Sequence, residues 1–426
     1  MLDVMVVAMP FTGHVRPMLG LAEELAARGH TVRVHTGGAF AEAVRGSGAE
    51  HAAWHSAQDF DETDLAATFP RLVDRRGVRQ MAVNVIDLFI GTAPGQSADL
   101  IAAWEDRPWD VLVADGLAFG ARFAAEQVTA PWVSVGVVPP AWPSRDLPPP
   151  GLGLAPGRGS VGRARDAVLR GLGRLAVVPF ERAYARARTA AGLGASGIPY
   201  PTVAYSRTLS LASGAPALTP PTRDLPPFLE FVGQLSSPGA GAAAQQALPA
   251  WWDDVVSAER PVVHVTQGTY NVDVRDLIRP TLDALAERDV LVVVGLAPDA
   301  EPPGPLPANA RAARMIPYGP LLERTSVVVT NGGWGGVLAA LGADVPLVVA
   351  GGDLDKPDIA ARVARAGAGI DLRTGAPSPA QVDHAVGRVL HEPRFAREAA
   401  RVGAELRGLG GTRRAVDLVE GLVAGA

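Results

Sequence analysis

Short apolar runs, each closed by a turn signal and followed by a helix-periodic stretch, recur along the chain and constrain its fold more than any single motif. Residues 4–9 are apolar throughout and closed by Pro10, the pattern of a strand buried on both faces. A helix is expected over 17–28, with Met18, Leu21, Ala22 and Leu25 on one face, Pro17 in its first turn and Gly29 as its stop. The next strand is 31–36, and further strands are expected at 110–114, 131–136 and 208–211. Strand, helix and strand in this order build right-handed βαβ units and a parallel sheet.

The pattern then breaks and restarts. Pro and Gly crowd residues 139–156, which read as a long loop, and 161–188 read as helical. A second loop-rich zone at 233–248 carries Ser, Pro, Gly and Ala and separates the halves. Beyond it, strand-like runs return at 261–266, 290–294, 326–330 and 345–350. At 426 residues the chain exceeds one ordinary domain. The expected division is a first domain over 1–235, a linker over 236–258 and a second domain over 259–405. A C-terminal helix over 406–426 is expected to return towards the first domain. Two such domains facing each other leave a cleft at the carboxyl ends of their strands, where ligands bind.

Composition removes several function classes. The net charge of −5 gives no reason to expect nucleic acid or an anionic membrane as partner, and Arg75-Arg76 and Arg413-Arg414 read as solvated faces. Without cysteine there are neither disulfides nor thiolate metal sites. No apolar run reaches the roughly 18–20 residues of a membrane span, and residues 1–7 lack the basic start of a signal peptide. A cytoplasmic protein, monomer or homodimer, is expected.

Candidate chemistry collects at strand-to-helix junctions. His14, in Phe11-Thr12-Gly13-His14-Val15-Arg16-Pro17, follows the first strand and can act as a general base or simply pack the helix start. Asp115 follows the strand 110–114, as a turn or cap residue or as the carboxylate that orients His14. Asn331-Gly332-Gly333-Trp334-Gly335-Gly336 joins a strand to a helix, and its glycines and helix-start amides suit a diphosphate. Gly268 and Thr269 close the first strand of the second domain, where they can meet the same phosphates or form an ordinary turn. Asp355 and Lys356 precede Pro357, as sugar contacts or as the start of a helix. Asp353-Leu354-Asp355 also matches a metal-binding pattern of another architecture. Metal is discounted because phosphate-binding amides lie in the same domain. Gly157-Arg158-Gly159-Ser160-Val161-Gly162 fits the dinucleotide fingerprint but follows a loop instead of a strand, which argues against NAD.

In order and spacing, these segments resemble the family 1 glycosyltransferases of GT-B fold, in the bacterial macrolide- and antibiotic-modifying branch. The resemblance runs through Gly13-His14-Val15-Arg16-Pro17, Val113-Ala114-Asp115, Trp251-Trp252-Asp253, His264-Val265-Thr266-Gln267-Gly268-Thr269, Ile316-Pro317-Tyr318, Asn331-Gly332-Gly333-Trp334-Gly335 and Val345-Pro346-Leu347-Val348. It implies two doubly wound Rossmann-like domains about a central cleft. It also implies inverting, metal-independent transfer of a sugar from UDP- or dTDP-sugar to a small apolar acceptor, with no cofactor beyond the donor. His14 would be the base and Asp115 its support. Met315, Pro317 and Tyr318 would lie near the nucleobase. Gly268, Thr269 and Asn331 to Gly336 would lie near the diphosphate, and Asp355 and Lys356 near the sugar. Residues 54–92 and 139–163 would shape the acceptor pocket. Three positions depart from the family: Asn331 replaces His, Ala339 replaces Glu and Lys356 replaces Gln. Two other readings stay open: a sugar-nucleotide epimerase of similar two-domain architecture and, from Asn331 and Ala339, a non-catalytic auxiliary protein.

Overall fold

The computed structural model describes residues 1–73, 77–236, 248–268, 273–297, 300–314 and 316–425. Its first sheet contains β1 (Asp3–Val7), β2 (Thr31–Thr36), β3 (Glu50–Ala53), β4 (Val111–Asp115), β5 (Trp132–Gly136), β6 (Leu209–Ser213) and β7 (Leu229–Gly233). All are parallel, in the order β3-β2-β1-β4-β5-β6-β7. The second sheet contains β8 (Val262–Thr266), β9 (Leu291–Gly295), β10 (Ala310–Ala313), β11 (Thr325–Thr330), β12 (Leu347–Val349) and β13 (Gly369–Asp371). It too is parallel, in the order β10-β9-β8-β11-β12-β13. Each sheet therefore reverses its direction of winding once, at β1/β4 in the first and at β8/β11 in the second. Those reversals are where open α/β sheets hold ligands.

The central strands are buried on both faces, which is why β1, β4, β9 and β11 read as nearly unbroken Val and Leu runs. Helix Thr12–Ala27 covers the first sheet with Val15, Met18, Leu21, Ala22 and Leu25. It begins five residues earlier than the sequence suggests, so Pro17 lies inside it and His14 stands in its first turn. A distant side chain explains the early start. Glu62 accepts the Thr12 backbone N–H at 2.9 Å and the Thr12 hydroxyl, closing the helix end that lacks a cap of its own.

The last helix, Gly411–Ala424, crosses back to the first sheet. Ala415, Val416 and Val419 join the core beneath helix Thr12–Ala27, and Arg28 pairs with Asp417 at 2.7 Å and Glu420 at 2.8 Å. Further contacts bind the two halves. The Trp334 indole is 5% exposed, donates to Ser213 Oγ at 3.0 Å and lies against Gly214. Gly214 has φ +107°, and a Cβ there would sit 2.6 Å from the Trp334 ring, so only glycine fits. The buried Arg362 guanidinium reaches the carbonyls of Pro140 at 2.9 Å and Leu218 at 3.3 Å while held by Asp358. Among the described residues no helix is long and apolar enough to cross a membrane.

Candidate active site

β1 and β4 are neighbours, with Val7 opposite Ala114. Their carboxyl ends therefore bring His14 and Asp115 together from 101 residues apart in sequence. His14 Nδ1 lies 2.7 Å from Asp115 Oδ2. Asp115 is 1% exposed, and its other contacts fix it: Oδ1 accepts the Leu117 N–H at 3.0 Å and Oδ2 the Met9 N–H at 3.4 Å. A carboxylate so held can only accept, so His14 donates from Nδ1 and keeps the lone pair on Nε2. Burial disfavours the imidazolium, but the charge and hydrogen bond of Asp115 outweigh it, helped by Asp355 and Glu62. The pKa is accordingly held above the ordinary 6.5. Phe11 and Phe89 stand beside the imidazole, with ring centres 5.6 and 6.0 Å away.

A cavity of about 180 Å³ opens beside Asp115 and follows the carboxyl ends of β5 and β6. Phe119, Val137, Pro139, Tyr200, Tyr205 and Leu211 give it an apolar lining. Of the segments expected to shape an acceptor pocket, Pro139 to Ala141 reach this cavity and Phe89 reaches His14. Trp54 does neither, being buried in the core behind β1 and β4.

Across the cleft, the β8/β11 switch carries Gly268 and the segment Asn331 to Gly336. Asn331, expected near the diphosphate, also ties this region together. Its Nδ2 donates to the Gln267 carbonyl and its Oδ1 accepts the Gly333 N–H at 3.4 Å, so it braces the two turns against each other. Gln267 in turn accepts the N–H groups of Leu277 and Ile278 at 3.0 and 2.9 Å, anchoring the next helix. Gly332 has φ +93°, and a Cβ there would fall 2.9 Å from Val349. Gly333 caps helix Trp334–Gly342 with no side-chain bond, and the amides of Trp334, Gly335 and Gly336 have no carbonyl to meet inside the helix. The Trp334 side chain itself belongs to the interdomain contact, so only its backbone faces this site. Ala339 packs on the hydrophobic core of that helix.

Pro317 caps helix Tyr318–Leu322, and the Tyr318 ring meets buried His264 edge-on at 5.4 Å. Burial pushes the Tyr318 hydroxyl up to about 12 and keeps His264 neutral, at about 4. Asp355 precedes helix Lys356–Arg365 and lies near enough to His14 for each charge to favour the other. Burial raises its pKa, while Lys356 and His14 act against that rise. Lys356 Nζ is 3.6 Å from Asp353 Oδ1, so its charge is already partly satisfied within its own turn. Thr269 and Met315 lie outside the described residues. Sequence reasoning missed Glu62, Phe89 and Ser213. They act on site residues from a loop, a helix and a strand; the 54–92 segment included the first two, but nothing in the local pattern singles out any of the three.

The comparisons with known proteins agree with this fold. The chain is 40% identical to 4′-demethylrebeccamycin synthase of Lentzea aerocolonigenes across 99% of both chains. It belongs to the GT-B glycosyltransferases, in their antibiotic-modifying branch. The family described as erythromycin biosynthesis protein CIII-like, C-terminal domain, matches residues 279–409 of this glycosyltransferase. UDP-glucosyltransferase A1 of Starmerella bombicola is 33% identical over 93% of this chain and 87% of its own. The solved glycotransferase of kitacinnamycin superposes with a TM-score of 0.75 at 27% identity, covering 99% of both chains. The calicheamicin glycosyltransferase, at 22% identity and a TM-score of 0.73, shares the fold.

Proposed function

We propose that this glycosyltransferase moves a sugar, with inversion and without metal, from UDP- or dTDP-sugar to a hydroxyl or amine of a small apolar natural product. The observation that carries the reading is the 2.7 Å His14–Asp115 pair at the first switch point, beside an apolar cavity. Nε2 of His14 takes the acceptor proton as the acceptor oxygen or nitrogen forms its bond to the anomeric carbon. The anomeric bond to the nucleoside diphosphate breaks on the opposite face, and Asp115 stabilises the imidazolium. The diphosphate leaves on to the amides around Gly335 and Gly336, where helix Trp334–Gly342 presents its positive end. Those amides supply the charge stabilisation that a metal would otherwise provide. A relative named UDP-glucosyltransferase supports the donor class, and one named 4′-demethylrebeccamycin synthase supports a natural-product acceptor.

Incubation of an α-linked nucleotide sugar with an apolar natural-product aglycone, in EDTA, should give a β-glycoside and free nucleoside diphosphate. An α-glycoside would overturn inversion, and conversion of the donor alone would favour an epimerase. The pH profile carries a second expectation. The base must be neutral, so kcat/KM rises as pH passes upward through the His14 pKa, which Asp115 holds above 6.5. Asp115→Asn removes the charge that favours the imidazolium, so the acid limb should move to lower pH while the plateau falls. An unmoved limb would show that another group titrates.

A further inference from the structure

Helix Gly159–Ala176 turns its apolar face outward. Its one buried residue is Asp166, which accepts the Gly157 N–H at 2.7 Å and is held by Arg165. At about 100° per residue, Gly162, Asp166, Leu169 and Arg170 fall on the side packed against the protein, and these are buried or half-buried. Val161, Val168, Leu172 and Leu175 align in a separate stripe about 60° wide, and they are 82%, 63%, 58% and 71% exposed. Ala164, Ala167 and Gly171 widen that face without adding a charge, and all three are exposed. Arg163 and Arg174 border it on one side and Arg165 on the other. Neither Arg163 nor Arg174 pairs with a carboxylate among the described residues. The loop leading into the helix exposes Leu152 and Leu154 as well.

An amphipathic helix normally sets such a stripe on a core, and water is a poor partner for one this continuous. We propose that this helix seats the protein on an anionic membrane surface. The aliphatic stripe enters the boundary between headgroups and acyl chains, and Arg163 and Arg174 on its rim meet lipid phosphates. Charge decides between occupants. In a two-fold contact between copies, antiparallel packing sets Arg163 against Arg174, and parallel packing sets both against Arg165, so like charges meet either way. A soluble protein partner would be expected to find aromatic anchors, and the stripe has none. The net charge of −5 conceals this local basic rim. Residues 141–158 connect the helix to the wall of the cavity beside Asp115, and Arg170 ties it to the Leu147 carbonyl at 2.9 Å. On the function proposed above, this seating brings the acceptor side of the cleft to the phase in which an apolar acceptor concentrates.

The test is sedimentation of the full chain with vesicles of phosphatidylcholine alone or mixed with phosphatidylglycerol, at low and high salt. Pelleting with the mixed vesicles, weakened by salt, is expected. The double variants Leu172→Asp/Leu175→Asp and Arg163→Glu/Arg174→Glu should each lower the bound fraction at least about tenfold. All four positions are exposed, so thermal midpoints should stay near that of the parent. Absence of pelleting, equal pelleting with neutral vesicles, or pelleting that neither variant reduces would overturn the proposal. A dimer or a complex with another protein that Leu172→Asp/Leu175→Asp dissociates would overturn it too, since a protein then covers this face.

Discussion

Replacing His14 with alanine is expected to lower kcat/KM by about 10²–10⁴-fold, the usual contribution of a positioned general base. The fold should survive, because Asp115 keeps the N–H groups of Leu117 and Met9 when the imidazole goes. Nucleotide affinity should also survive, since the glycine-rich turn lies on the other domain. The variant thus separates chemistry from donor binding: the catalytic rate falls while nucleotide still stabilises the protein. Steady-state kinetics on folded His14→Ala checks this, and retention of full activity would remove His14 from the role of base.

The second large effect is on stability. Trp334→Ala should cost about 3–5 kcal/mol, the range for emptying a buried aromatic site. The indole fills the space that Gly214 leaves and bonds Ser213, so its loss opens a cavity between the two sheets at the start of the helix whose amides face the cleft. Trp334→Phe keeps most of the packing and loses the bond to Ser213, so about 0.5–1.5 kcal/mol of net hydrogen-bond stability is at stake. Chemical denaturation of the two variants reads the difference. Equal, small losses would show that Trp334 does not hold the halves together.

The central strands were legible in the sequence because burial on both faces leaves an unbroken apolar run, as in β1, β4 and β9. The strands not expected, β3, β7, β10 and β13, are the four sheet edges. There one side of the backbone lacks a partner strand, and sequences such as those of β3 and β10 carry Ala and charged residues instead of paired valines. The His14–Asp115 pair was legible for the same topological reason that makes it adjacent: both residues stand just at or beyond the carboxyl ends of neighbouring strands at a change of winding. What the sequence hid is which way polar groups turn. Nothing in the local pattern of Asn331 shows that its carboxamide also bonds Gln267 and Gly333. Trp334 read as part of the donor loop, but its ring crosses to Ser213. Glu62 was invisible because a helix can be capped from 50 residues away. The periodicity of 161–188 announced a helix, yet only the structure shows that the apolar stripe of Gly159–Ala176 faces away from the core.

On the proposed function, the second domain holds a pyrimidine nucleoside diphosphate through backbone amides and without metal. Thermal unfolding with UDP, dTDP, GDP, ADP or NAD, each with magnesium or with EDTA, reads this out. At about a hundredfold excess over its dissociation constant a ligand adds about 2.7 kcal/mol, which a midpoint shift makes visible. Stabilisation by UDP or dTDP that is unchanged in EDTA is the expected result. No response to any nucleotide, or a response that appears only with magnesium, would contradict it.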